Sequence, residues 1–230
     1  MENYSIEQWA AELEQKTDVF RSVVEAALEE RYQRSFRISL ININPGDSVL
    51  KLHLHPTDDE TLVFSATVEE GPVIHENYLA RQRLCEYEQS LVDCLAKIGQ
   101  EAIVKASIPG CDTSGVSASA TLDDILSRQD APGILVHLAL LEPMQDPSEV
   151  VQVLKASTLQ CPKRVVFYAY VLGEKSFAAC REHFLSTPST TDASMTGFDP
   201  IADFTFAVET GTCRVANQRG ITIQEVEDNE

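Results

Sequence analysis

Long hydrophobic runs are missing from this sequence. The two longest, Ile134–Leu141 and Val165–Leu172, are far too short to span a bilayer, and the first contains His137. The opening residues 1–30 start Met-Glu-Asn-Tyr and pass straight into a charged amphipathic pattern. They offer no basic stretch followed by an apolar one, so no export signal is expected. Paired-cysteine motifs are missing as well. Cys85, Cys94, Cys111, Cys161, Cys180 and Cys213 lie at wide, irregular intervals with no C-x-x-C, which removes zinc-ribbon and thioredoxin-like readings. Without an export signal they read as reduced thiols, and a cytoplasmic location is expected.

Basic residues are scarce. Lys and Arg total 18 against 36 Asp and Glu, a net charge of −18. The surplus is spread along the chain: residues 1–108 carry 10 basic and 19 acidic groups, residues 109–230 carry 8 and 17. Nowhere do the cations form a stripe. Nucleic-acid affinity comes largely from neutralising phosphates, so no nucleic-acid partner is expected. An anionic membrane surface is disfavoured for the same reason. The positive expectation that remains is a protein partner with a basic face, for which charge complementarity sets association rate and specificity.

What is present is a hydrophobic fraction of 43 %, enough apolar surface to fold. Ser5 and Gln8 form a capping box ahead of a long amphipathic helix that carries Trp9, the one tryptophan. Trp is frequent at binding hot spots, but its place on the apolar face favours a core role. Strands are expected at 36–43, 49–55 and 61–68, joined by an Asn-Pro-Gly-Asp turn at 44–47 and a Pro-Thr-Asp-Asp turn at 56–59. Short turns of this kind favour an antiparallel meander. A second helix runs over about 76–98, with Leu84, Leu91, Leu95 and Ile98 as its apolar stripe and Gly99 as its stop. A strand at 101–108 follows.

Residues 109–120, rich in Pro, Gly, Ser, Thr and Ala, form the expected linker between an N-terminal part (1–108) and a C-terminal part (121–230). The C-terminal part opens with a short helix at Thr121 and Asp124. Strands at 133–141 and 163–172 flank a helix that starts at Asp146-Pro147-Ser148-Glu149, which implies a locally parallel pair. A helix at 174–185, a Ser/Thr-rich loop at 186–200 and strands at 203–209, 212–216 and 221–226 complete the chain. The fold class is α+β, an antiparallel or mixed sheet flanked by helices. Its order is α-β-β-β-α-β and then α-β-α-β-α-β-β-β, with both parts able to share one sheet.

Two constellations carry candidate chemistry. In the loop Pro109-Gly110-Cys111-Asp112-Thr113-Ser114-Gly115, Cys111 is a candidate nucleophile with Asp112 beside it. Gly110 and Gly115 have phosphate-loop spacing, but Val116 stands where the motif needs Lys, which rejects the nucleotide reading. His53 and His55 point to one face of a strand, and with Asp58, Asp59 or Glu60 they can supply metal ligands. Polar alternation on a solvated face explains the same pair. His137, inside an apolar strand, reads as a buried neutral histidine, while His75 and His183 flank helix ends.

There is no G-x-S-x-G, H-E-x-x-H, kinase or dinucleotide fingerprint, so no cofactor is expected. The reading that follows is a non-enzymatic binding protein. Acidic adaptors, secretion chaperones and toxin-neutralising immunity proteins are of this kind, and no motif assigns the chain to any of them. The alternative is a cysteine- or metal-dependent hydrolase built on Cys111 or on His53 and His55.

Overall fold

The computed structural model describes residues 18, 21–42, 49–68, 74–128, 133–158, 163–186, 197–209 and 211–223. The expected cap at Ser5, Trp9, the 44–47 turn and most of the Ser/Thr-rich loop lie outside them. The chain folds into two compact units, Met1–Glu76 and Asn77–Glu230, and the class is α+β with one antiparallel and one mixed sheet.

In the first unit, helix α1 (residues 21–32) precedes four strands, β1 (Phe36–Asn42), β2 (Leu50–Pro56), β3 (Phe64–Val68) and β4 (Ile74–Glu76). They form an antiparallel meander in chain order, as the short turns require. Alternation builds its core. Leu52 and Leu54 point inward with Phe36, Ile38, Phe64 and Ala66, joined by Val24 and Leu28 of α1. The Phe36 ring meets Phe64 edge-on at 5.5 Å, a geometry aromatic quadrupoles favour. Strand β4 adds to the three strands expected. It is held from afar, because Glu76 accepts a hydrogen bond from the Tyr32 hydroxyl at 2.7 Å and pairs with Arg31 at 3.4 Å.

In the second unit, α2 (Tyr78–Lys97), β5 (Ala102–Ser107), α3 (Leu122–Arg128), β6 (Ile134–Leu141), α4 (Pro147–Thr158), β7 (Val165–Leu172), α5 (Glu174–Ser186), β8 (Ala202–Glu209) and β9 (Thr212–Arg219) follow in turn. The strands form one sheet in chain order. The pair β6–β7 is parallel, as the intervening α4 implied, and the other pairs are antiparallel. Helix starts obey their sequence signals. Thr121 and Asp124 exchange capping hydrogen bonds at the start of α3, and Asp146 accepts the Ser148 N–H at 2.8 Å at the start of α4.

Strand β5, which the sequence grouped with residues 1–108, pairs with β6. The loop at 109–120 is therefore an internal connection of the second unit. Its composition is that of a linker, but its backbone is tied down: Arg83 donates to the Ala120 carbonyl at 3.0 Å and Arg128 to that of Gly115 at 3.3 Å. Val116 and Ala120 enter the core. At the far end β9 runs on to Arg219, past the expected stop at 216, and Ile221–Ile223 is not a strand.

Helices cover both faces of this sheet. Leu84, Leu91 and Leu95 of α2 and Val150 and Leu154 of α4 pack on Val136, Phe167 and Phe206, with the last two rings stacked at 4.6 Å. On the other face Phe177, Cys180 and Phe184 of α5 pack on Ala139 and Leu172. Burial disfavours the thiolate and pushes the Cys180 thiol up from 9.0 to about 11. The native state therefore keeps a proton that the unfolded chain releases, so this contribution to stability is whole below pH 9.0 and is lost as pH rises through about 11. With iodoacetamide at about pH 8, peptide mapping should find Cys180 modified only after unfolding. Modification in the native state would contradict its burial.

Candidate functional site

The loop that carries Cys111 is built around turns. Asp112 accepts hydrogen bonds from the Ser114 N–H (2.9 Å) and the Ser114 hydroxyl (3.0 Å), so both carboxylate oxygens take part in the turn. Thr113 is fully buried, and Cys111 is half-buried against the core of the second unit.

His53 and His55 do share a face of β2, and both are half-buried rather than solvated. Burial holds the His53 pKa below its ordinary value. His55 Nδ1 lies 2.8 Å from the Pro56 carbonyl oxygen, a contact made by the Nδ1–H tautomer. Two of the three acids proposed to complete a metal site are engaged by other groups. Asp58 pairs with Arg34 at 2.8 Å, and that hydrogen bond draws its carboxyl below the usual range. Asp59 accepts from the Thr61 N–H and hydroxyl. Among the described residues no group of three or more His, Cys, Asp and Glu is placed to hold a metal ion.

A different cluster stands out, and it lies on an expected apolar stripe. Arg81 and Glu88 of α2 are buried and joined by two hydrogen bonds of 2.7 and 3.1 Å. Lys105 approaches the same carboxylate at 3.8 Å. Burial works against the Arg81 charge, but Glu88 outweighs it and holds the guanidinium above its ordinary range. The pair has a structural object. Residues Glu101 and Leu141 are hydrogen-bonded across β5–β6, so by alternation Ala102, Val104 and Ala106 direct their main-chain groups away from β6. Glu88 accepts the Ala106 N–H at 2.7 Å, and Arg81 donates to the Ala106 carbonyl at 3.3 Å. Two side chains thus take the place of a strand partner at an edge. In the first unit Glu25 of α1 likewise accepts the N–H of Ile38 in β1, at 3.1 Å.

Beside this cluster a hollow of about 420 Å³ is lined by Cys85, Glu88, Val92, Lys105, Arg181 and Phe184. Across the same sheet face runs a polar row, Lys105, His137, Tyr168 and Thr205, one residue from each of four neighbouring strands. His137, expected to be buried, is half-buried and stacks on Tyr168 at 4.9 Å. The reason lies in its strand: α5 packs on Ala139 and Leu141 further along β6. Next to the row, burial and then the Asp203 carboxylate raise the Tyr170 pKa.

Comparison with known proteins adds the fold. No family model matches the chain, and no curated protein matches it. In structure it is similar to a DUF5037 family protein from Ruminococcus gnavus, with a TM-score of 0.61 and 13% sequence identity over 84% of this chain and 94% of that one. At that identity the likeness shows a shared fold and says nothing of activity.

Proposed function

We propose that the chain is a non-enzymatic binding protein whose partner is a protein with a basic face, and that it works in the cytoplasm. The carrying observation is the density of acid in the first unit. Residues 1–76 hold 6 Lys and Arg against 15 Asp and Glu, a net −9, and residues 77–230 hold 12 against 21, also −9, on twice the length. Much of this charge faces water: Glu30, Glu60, Glu142, Glu149, Glu174 and Glu182 are exposed. A field of this sign accelerates encounter with a cationic surface and repels phosphates and anionic lipid. Among the described residues no helix is long and apolar enough to cross a membrane. For the metal-dependent alternative, Asp58 and Asp59 are engaged by Arg34 and Thr61.

Affinity capture on the immobilised chain tests this reading. At about 50 mM salt a defined basic protein should be retained, and about 500 mM salt should release it, because the Debye length shrinks several-fold. Recovery of no partner at low salt, or of one indifferent to salt, would remove the proposal.

A further inference from the structure

The sheet of the first unit has an inner face toward α1 and an outer face away from it. Glu76, held by Tyr32 and Arg31 of α1, marks the inner face, which carries Phe36, Ile38, Leu52, Leu54, Phe64 and Ala66. The strand register assigns the outer face residue by residue. Arg37 stands opposite His55, Leu40 opposite His53 and Asn42 opposite Lys51. His53 then meets Ser65, Lys51 meets Thr67, and Thr67 meets His75. Arg37, Lys51, His53, His55 and His75 thus share one surface, about 15 Å across at the usual strand spacing, and no Asp or Glu stands on it. Alternation on three separate strands gathers them, which is why the chain shows no run of cations.

The acids of this unit are kept to other elements. Among the described residues they are Asp18, Glu25, Glu29 and Glu30 in or near α1, Asp58, Asp59 and Glu60 in the turn after β2, and Glu76 on the inner face. That turn adjoins His55, and Asp58 there is already paired with Arg34 at 2.8 Å. A bulge adds an apolar group to the basic face. The register slips between Ile38 and Leu40, so Ser39 is the extra residue and Leu40 is re-aimed outward. Regular alternation from Ile38 would have turned Leu40 toward the core. It is instead 50% exposed, opposite His53. Arg37 and Lys51 are exposed, and the three histidines are half-buried.

We propose that this face docks an acidic segment of another protein, with carboxylates over the five bases and an apolar side chain on Leu40, and that binding tightens as pH falls. At about pH 7.5 Arg37 and Lys51 supply the attraction. Toward about pH 6 the histidines add charge, while carboxylates, which ordinarily titrate near 4, keep theirs. Burial holds the His53 pKa below its ordinary value, so part of the gain comes only with an incoming carboxylate, which draws that pKa back up. A net charge of −18 opposes a long polyanion, and Leu40 suits a segment that mixes acidic with apolar side chains. This face goes beyond the basic-partner reading and does not depend on it, since it uses the bases of the unit and not its acids.

The probe is a capped heptapeptide, Ser-Asp-Glu-Leu-Glu-Asp-Ser, titrated into the full chain at about 50 mM salt and followed by calorimetry and amide NMR. It should bind about tenfold more tightly at about pH 6 than at about pH 7.5 and shift the signals of 37–42, 51–55 and His75. The triple variant His53→Gln, His55→Gln, His75→Gln should match the unaltered chain at about pH 7.5 and lose the gain at about pH 6. Arg37→Gln with Lys51→Gln should bind about tenfold more weakly at either pH and keep the gain. Leu40→Ser should weaken binding at both. The last two variants change exposed side chains only, so they decide the matter even where the histidine variant perturbs the sheet. Equal affinity at the two pH values, a gain that survives in the histidine variant, equal binding of a peptide with Asn and Gln for its acids, or no binding at all would overturn the proposal. So would tighter binding of a single-stranded oligonucleotide, which gives the face to nucleic acid. A dimer that Arg37→Gln with Lys51→Gln dissolves would also overturn it, since that gives the face to a second copy. Capture of a basic protein relies on carboxylates that every variant keeps, so the two readings fail separately.

Discussion

Replacing Glu88 by Ala is expected to lower the unfolding free energy by about 3–5 kcal/mol, measured by urea denaturation. Three losses coincide in that one substitution. Arg81 keeps its charge in a buried position without the carboxylate that held it at 2.7 and 3.1 Å. The Ala106 N–H loses its acceptor at 2.7 Å, and an orphaned buried donor costs about 1–3 kcal/mol by itself. Lys105 loses its neighbour too, although at 3.8 Å and half-buried that contact is the smallest of the three. Removing both charges together separates the terms. A double variant, Arg81→Met with Glu88→Leu, leaves no buried charge behind, so it should recover most of the stability. It should still fall short by about 1–3 kcal/mol, because the Ala106 N–H stays unpaired. A double variant as stable as the unaltered chain would show that the pair does not act as an edge cap.

Substitution of Gly133 by Ala should cost about 3 kcal/mol. Gly133 sits just before β6 at φ +113°, a conformation side chains avoid. A Cβ there would lie 1.9 Å from the Arg164 carbonyl oxygen. That oxygen accepts the Ile134 N–H at 3.0 Å, at the start of the parallel pair β6–β7. The obstacle is backbone that cannot swing away, so the pair must shift or the hydrogen bond must break. Thermal unfolding of Gly133→Ala would check this; a midpoint within about 2 °C of the unaltered chain would refute it.

Much of the architecture was legible because local signals agreed with the fold. Thr121 with Asp124, Asp146 with Ser148, and Gly99 after α2 mark helix ends by hydrogen-bonding chemistry that needs no distant residue. The sequence strand-helix-strand across 133–172 implied the parallel pair, which no hairpin can make. What stayed hidden depends on partners far along the chain. Three residues of β4 are too few to show a period of two, and its Glu76 is held by Tyr32 and Arg31, 44 and 45 positions earlier. The placement of β5 was hidden by a loop whose composition suggests a linker while Arg83 and Arg128 anchor it.

The Arg81–Glu88 cluster was half visible. Two opposite charges seven positions apart fall on the stripe of Leu84, Leu91 and Leu95, and that violation of pattern is a signal. The sequence could not show that a strand edge waits beside them. His53 and His55 illustrate the opposite case: alternation put them on one face correctly, but Asp58 and Asp59 turn to Arg34 and Thr61 instead.

The capped edge of the second sheet also limits how copies of this protein can assemble. An endless filament needs each subunit to offer two complementary edges, one to give and one to receive. Here the outward groups of Ala106 in β5 are already taken by Glu88 and Arg81 of the neighbouring helix, so that edge cannot receive a strand across this residue. The capped side therefore acts as a terminator of growth by this sheet.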